Sequence, residues 1–238
     1  MSRFFEELGF AQTPIGDISL RRRHEPRVGY DVYEIKLGDE FLMSSLVTTS
    51  EIALADLALA ACPGDALDVA VGGLGLGYTA QAVLASGRVS SLIVIDALRE
   101  VIDWHRDGLI PLDCQLADDP RCKLSYGDFF ARAADTAGGL DPETPGRRFD
   151  IILVDIDHSP DALLDASSES FYSPTGFAAL RQHLKPGGIF GLWSNEAPDI
   201  AIIARLETAF TSAWAEAVDV ATPLRERPFV QTVYLART

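Results

Sequence analysis

The chain has 238 residues, 47% of them hydrophobic and 23% charged, a balance ordinary for a globular protein that folds in water. Its 20 basic against 35 acidic residues leave a formal charge of −15; such a field repels nucleic acid and anionic lipid, so neither is an expected partner. No apolar stretch reaches the roughly 20 residues of a membrane span, and Met1–Phe10 carries acids where a secretory signal has its apolar core.

The first dozen residues read as a short amphipathic helix or a mobile terminus. Ile18–Leu20 and Val28–Leu37 are strand-like, with Tyr33, Ile35 and Leu37 on one face and Glu34 and Lys36 on the other. Between them Arg21–Arg27, RRRHEPR, reads as an exposed basic loop. Gly38-Asp39 turns the chain into Glu40–Ser44. These segments form a small antiparallel β unit over residues 1–48. Thr49 or Ser50 then caps a helix that reaches Ala61 and stops at Cys62-Pro63-Gly64. Cys62, Cys114 and Cys122 are odd in number and show no CxxC spacing, as expected of unpaired thiols in a reducing, cytoplasmic setting.

From there, over residues 49–238, strands and helices alternate. Strands at Ala66–Val71, Leu92–Ile95, Lys123–Tyr126, Phe149–Val154 and Ile189–Trp193 are separated by helices near Tyr78–Ala85, Arg99–Arg106, Phe129–Ala134 and Phe177–Leu184. Ala137–Gly146, rich in Gly and Pro, is a loop, and Lys185–Gly188 is a turn. After a helix near Ala201–Phe210, the runs Ala215–Val220 and Phe229–Leu235 follow each other without a helix, as in a hairpin. The pattern predicts an α/β, Rossmann-like doubly wound sheet with its last strand antiparallel.

The chemistry concentrates in ALDVAVGGLGLGYTA, Ala66–Ala80. A buried strand breaks into Gly72, Gly73, Gly75 and Gly77 and then into a helix. Glycines at such a turn let backbone N–H groups and a helix end approach a ligand closely. The next strand ends in Asp96, where an acid commonly accepts hydrogen bonds from ribose hydroxyls. The spacing satisfies both GxGxxG/A and GxGxG, so an NAD-type site stays open at this point. Asp128 follows the third strand, and the fourth ends in Asp155, Asp157 and His158. Ligands in open α/β sheets bind beyond the carboxyl ends of the strands, where these acids gather. His158 has the chemistry of a base near neutral pH. By strand alternation Asp157 points the other way and caps the following segment.

In order, VAVGGLGLG, LSYGDFF, FDIILVDIDHSP and LKPGGIFGLW resemble the class I S-adenosylmethionine-dependent methyltransferase fold, a seven-stranded sheet. Within it the N-terminal β unit, the segment Asp118–Asp128, VDIDHSP and QTVYLART are most similar to the spermidine synthase (aminopropyltransferase) family. The resemblance implies that Asp96 holds the ribose and Asp128 the adenine. It makes Asp155 the amine-activating catalytic Asp, with His158 beside it, and the glycines Gly72, Gly73, Gly75 and Gly77 the loop beneath the nucleoside. Asp155 thus counts among both the catalytic and the cofactor-binding residues. The implied cofactor is S-adenosylmethionine or its decarboxylated form, the partner a small, cationic amine or hydroxyl acceptor, and the assembly a homodimer.

Three departures bear on the reaction. The family's loop reads GGGDGG, and its Asp, which helps hold the donor's terminal amine, is Gly75 here. The family's Tyr-His pair before the helix Glu is Thr49-Ser50 before Glu51, and Asp155–Pro160 is one residue longer than the family's DSSDP-like segment. Loss of the acid at Gly75 tilts the expectation slightly toward methyl transfer, with true aminopropyl transfer the alternative. A nucleoside-binding relative without catalysis remains a further reading. VDIDH also resembles the VDADK stretch of cation-dependent O-methyltransferases, but where these carry an Asp-Asn pair this chain has Ser194-Asn195, so no metal ligand is assigned.

Overall fold

The N-terminal unit and the alternating segment fold as two sheets sharing one core. In the computed structural model, which describes residues 5–225 and 227–238, the first sheet is antiparallel and four-stranded. It consists of β1 (Phe5–Thr13), β2 (Gly16–Glu25), β3 (Tyr30–Leu37) and β4 (Glu40–Ser44), in chain order. Ile18, Leu20 and Ile35 point from it into the core beneath the second sheet.

Two expectations are corrected here. Residues 5–13 form a strand, not a helix or a mobile end, because Leu8 and Ala11 pack on the core while Glu6 and Glu7 lie opposite Arg22 and Arg21; Met1–Phe4 lie outside the described residues. Nor is Arg21–Arg27 an exposed loop: β2 runs through the arginines to Glu25. A strand with three consecutive arginines is stable here because its neighbours present acids, and opposite-charge cross-strand pairs each contribute about 0.2–1 kcal/mol. Arg22 pairs with Glu6, and Arg23 reaches Glu25 and, at 2.8 Å, the buried Glu34. Glu34, expected on the wet face, is buried for that reason.

The second sheet contains β5 (Leu67–Gly72), β6 (Val89–Asp96), β7 (Cys122–Tyr126), β8 (Phe149–Val154), β9 (Leu184–Ser194), β10 (Ser212–Val220) and β11 (Phe229–Arg237). Its order is β10-β11-β9-β8-β5-β6-β7. β11 runs antiparallel to both β9 and β10, whereas β5, β6, β7, β8 and β9 are mutually parallel. This is the seven-stranded sheet expected from the alternation and the closing hairpin. β11 follows β10 without a crossover helix, because antiparallel neighbours connect directly, whereas the helix at Ile200–Glu207 carries the chain from β9 past β11 to β10.

Successive residues of the central strands feed opposite cores. Val69, Val71, Leu92, Val94, Ile151 and Leu153 face α1 (Thr49–Ala61), α2 (Tyr78–Ala85) and α3 (Arg99–Arg106). Ala70, Ile93, Ile95, Ile152 and Val154 face α4 (Phe129–Ala134), α5 (Pro174–Arg181) and α6 (Ile200–Glu207). Phe171, in a 3-10 segment at Ala166–Tyr172, centres the second core with edge-on contacts to Phe129, Phe177 and Phe190. No helix among the described residues is long and apolar enough to cross a membrane.

Helix starts differ from the sequence expectation in two places. The residue before α1 is Thr48, whose side chain makes no capping bond; the hydroxyl of Ser50 instead bonds Glu51. α5 begins at Pro174, earlier than expected, because the Ser173 side chain accepts from Gly176 N–H and proline suits a helix's first position.

The connection that places the site is the crossing of the β5 exit under the β8 exit. Gly73 has φ +92°, and a Cβ there would lie 2.2 Å from the Asp155 carbonyl oxygen. Gly73→Ala should therefore cost about 2–4 kcal/mol from left-handed strain and forced displacement. Urea unfolding measures it; a loss under 1 kcal/mol would mean that the crossing yields easily.

Candidate functional site

β5 is the point at which the strand order reverses, with β6 on one side and β8 on the other. Its carboxyl end is therefore the place in this sheet where a crevice opens between diverging connections. Gly72, the last residue of β5, accepts the Asp155 N–H at 2.9 Å, and Gly73 donates to the Ile95 carbonyl at 2.9 Å. The ends of β5, β6 and β8 are thus tied together at the glycine turn.

Asp96 locks this turn from the β6 side. Its two carboxylate oxygens accept N–H bonds from Leu74 at 2.9 Å and Leu98 at 2.7 Å. Burial pushes its carboxyl above the ordinary range, against the pull of these backbone donors. Each oxygen keeps a lone pair for a hydroxyl. His105, which the sequence did not single out, supports the same loop: its Nε2 lies 2.9 Å from the Gly75 carbonyl oxygen, and Gly77 packs against its ring. Burial lowers its pKa, so the neutral ring donates this bond. A histidine near the end of an amphipathic helix carries no sequence signal for that role.

Asp128 caps α4. Its Oδ1 accepts the N–H groups of Phe130 and Ala131 at 2.8 and 3.1 Å. Its Oδ2 makes no hydrogen bond among the described residues and faces solvent beyond β7, where an amino group can reach it.

Asp155 leaves the end of β8 half-buried. Its Oδ2 accepts the Thr79 hydroxyl at 2.7 Å from the first turn of α2. That hydroxyl is also 3.4 Å from the backbone oxygen of Glu51, in the first turn of α1. Glu51 is itself buried, at 7% exposure. The sequence signal for Glu51 was modest, a single acid opening an otherwise apolar helix turn. Thr79 had none.

Asp157 and His158 part company with Asp155. Asp157 is buried and accepts the Leu164 N–H at 2.7 Å and the hydroxyls of Ser168 at 3.2 Å and Tyr172 at 2.8 Å. It pins the segment after β8, as strand alternation predicted. His158 points the other way, its Nε2 3.0 Å from Glu40 Oε1 at the start of β4. Among the described residues it bonds to the N-terminal sheet, not to Asp155. Its ring therefore joins the loop after β8 to the β3–β4 turn.

The N-terminal sheet also reaches the glycine loop itself. Met43 of β4 places its Sδ 2.8 Å from the Leu76 N–H, and a Cβ on Gly75 would fall 2.7 Å from the same sulfur. The thioether occupies the space into which a side chain at position 75 would project.

The profile of the spermine/spermidine synthase domain matches residues 51–216. The chain belongs to that family. Among curated proteins it is 25% identical over 150 residues to polyamine aminopropyltransferase 2 of Pseudomonas aeruginosa, covering 60% of this chain and 40% of that protein. It is 26% identical over 161 residues to polyamine aminopropyltransferase of Pyrobaculum calidifontis, covering 67% of this chain and 52% of that one. The matches span about half or less of each relative's length. Spermidine synthase from Thermotoga maritima superposes with a TM-score of 0.71 at 18% identity, over 97% of this chain and 72% of that one. A spermidine synthase in complex with the transition state analogue AdoDATO matches with the same figures. These structures share the fold, including the N-terminal sheet.

Restoring the family's acid at the loop tests the packing at Met43. The φ of +47° at Gly75 is one that aspartate tolerates, so the obstacle is the sulfur. Gly75→Asp should cost about 1–3 kcal/mol by overpacking, and Met43→Ala in the same chain should recover at least about 0.5 kcal/mol of coupling. A double-mutant cycle by urea unfolding reads both values; additive losses would show that Met43 does not limit position 75.

Proposed function

We propose that the chain transfers an aminopropyl group from decarboxylated S-adenosylmethionine to a small amine. The observation that carries this reading is the half-buried Asp155 and the buried Glu51, whose carboxylates are bonded among the described residues by the hydroxyls of Thr79 and Ser50 and by no cation. Buried charge without a partner is costly, and an ammonium-bearing ligand is the natural complement. The same pair would repel the carboxylate of intact S-adenosylmethionine. The relatives named polyamine aminopropyltransferase favour this alternative over the methyl transfer tilted toward by Gly75 alone.

The residues present fit a sulfonium nucleoside. The glycine turn offers close backbone approach, Asp96 retains acceptor capacity for ribose hydroxyls, and the free Oδ2 of Asp128 suits an adenine amino group. The sulfonium supplies a carbon already activated for displacement. What remains for the protein is to align donor and acceptor and to take one proton from the acceptor. Asp155 is the group placed for that proton, its Oδ2 held by Thr79 and its other oxygen without a bond among the described residues. His158, bound to Glu40, orients the loop that follows Asp155.

A second reading, methyl transfer from S-adenosylmethionine, rests on Gly75 and Met43, which leave the loop without an acid for the donor's amine. Isothermal titration and product analysis separate the two. Decarboxylated S-adenosylmethionine should bind, and methylthioadenosine should be released only when a diamine is added. Asp155→Asn should lower kcat at least about 100-fold, the scale of a lost general base, with nucleoside binding retained. Binding of S-adenosylhomocysteine with release of that product, and no methylthioadenosine, would replace the aminopropyl reading by the methyl one.

A further inference from the structure

Asp155 stands at one edge of a floor that continues onto the neighbouring strands. In the ladder between β8 and β9, Leu153 lies beside Gly191 and Val154 beside Leu192, so Asp155 and Trp193 leave the two strands side by side. In the next ladder Trp193 pairs with Val233 of β11. All three strands turn the same face to α1 here: a Cβ on Gly191 would lie 2.8 Å from Leu153, 3.1 Å from Leu54 of α1 and 3.5 Å from Leu235. One step further on that face, and one turn back along α1, come Asp155, Trp193, Val233 and Glu51. The following step on β11 is Gln231, a diagonal neighbour of Trp193 and within reach of long side chains.

This end of the floor carries two buried polar atoms with no partner among the described residues, the indole Nε1 of Trp193 and the Oε1 of Gln231. Gln231 is only 6% exposed. Its amide is held from the other side: Nε2 donates to Asn195 Oδ1 at 2.8 Å, and the Asn195 N–H donates to the His158 carbonyl at 2.7 Å. The amide is thus fixed with its acceptor oxygen unengaged. Nothing in the packing calls for these groups, since Val233 and Leu235 continue the same face of β11 as plain aliphatic residues. Buried donors and acceptors are costly to leave unmatched, and native folds match nearly all of them. A donor and an acceptor left this way, one strand and two strands from Asp155, suit a polar group brought by a ligand.

We propose that Trp193 and Gln231 form the subsite for the far end of the acceptor, and that they select an amine whose far end is a neutral hydroxyl. The proposal rests on the aminopropyl reading and narrows its acceptor. The indole offers one hydrogen and cannot accept, whereas the amide oxygen accepts and cannot donate. A hydroxyl satisfies both at once, accepting from Trp193 and donating to Gln231. An ammonium satisfies Gln231 and leaves the indole N–H unmatched, so a diamine is an acceptor but a poorer one. A methyl end satisfies neither group. A carboxylate end takes the indole hydrogen but meets the Gln231 oxygen. Strands about 4.8 Å apart put β8 and β11 about 10 Å apart, and side chains reaching in from both sides leave the length of a short alkyl chain.

Amines of one length and different ends test the subsite: 4-aminobutan-1-ol, 1,4-diaminobutane, butylamine and 4-aminobutanoate, each with decarboxylated S-adenosylmethionine. By kcat/KM for methylthioadenosine release, the amino alcohol should lead butylamine by about 10-fold or more, with the diamine between them. Gln231→Leu should bring the ratio of hydroxyl to methyl toward unity; the ratio is taken within one protein, so a partial loss of folded chain cancels. Gln231→Glu should move first place to 1,4-diaminobutane, because a carboxylate pairs with an ammonium. Trp193→Phe, which removes the N–H and keeps an aromatic ring, should narrow the lead of the hydroxyl over the ammonium. Equal kcat/KM for the amino alcohol and butylamine overturns the proposal, as does a wild-type preference for the diamine or for 4-aminobutanoate, or a Gln231→Leu ratio equal to that of the wild type. Isothermal titration of the same amines reads the subsite without turnover. Hydroxyl preference in binding without methylthioadenosine release leaves the subsite standing and removes the aminopropyl reading; release without discrimination among the ends does the reverse.

Discussion

The site depends on one backbone crossing. The Asp155 N–H bonds the Gly72 carbonyl at 2.9 Å, and Gly73 passes so close to the Asp155 carbonyl that no side chain fits between them. This contact joins the exits of two neighbouring parallel strands at the point where the sheet reverses order. Asp155 reaches Thr79 in the first turn of α2, and through it α1, because the glycine turn leaves nothing in between. Asp96 and His105 then hold the rest of the loop against β6 and α3. A ligand at this position meets a preassembled rim of backbone and carboxylates rather than a flexible loop.

Charge is arranged oppositely at the two ends of the sheet. At the amino ends of the strands, Asp68 is held by Lys185 at 2.8 Å and Arg147 at 3.0 Å, and Asp150 by Lys185 at 2.8 Å. Burial works to raise the Asp68 carboxyl, yet its hydrogen bonds to Lys185, Ser91 and Arg147 bring it below the ordinary range. At the carboxyl ends, Asp96, Asp155 and Glu51 have no such cations among the described residues, and burial drives all three upward. Groups of the same type are thus tied by cations at one end and held by neutral hydrogen-bond donors at the other. Upward shifts of this kind in a crevice are characteristic of functional sites.

The N-terminal sheet contributes to the site as well as to the core. Met43 fills the space beside Gly75, and Glu40 holds His158. Both contacts come from β4, which follows the Gly38-Asp39 turn. The glycine loop is therefore lined by a thioether where the resemblance placed a carboxylate, and the loop after Asp155 is steadied by the N-terminal sheet.

Local pattern alone determined the doubly wound sheet, its antiparallel last strand, the glycine turn and the acids at the ends of β6 and β8. Each is written in contiguous residues: apolar runs of strand length, φ-permissive glycines, a cap at Asp128. The strand β1 and the straight course of β2 through Arg21–Arg23 were not legible, because a charged strand is stable only when its partners supply acids, and those partners are remote in sequence. The same holds within the site. Asp96, Asp128 and Asp155 stand where their strands end, so order along the chain places them. Glu51, Thr79, His105 and Met43 come from three helices and a strand of the other sheet, and only the packing of those elements decides that they converge. The burial of Glu51 is likewise a property of the assembled core, since desolvation has no meaning for a residue until the chain around it has folded.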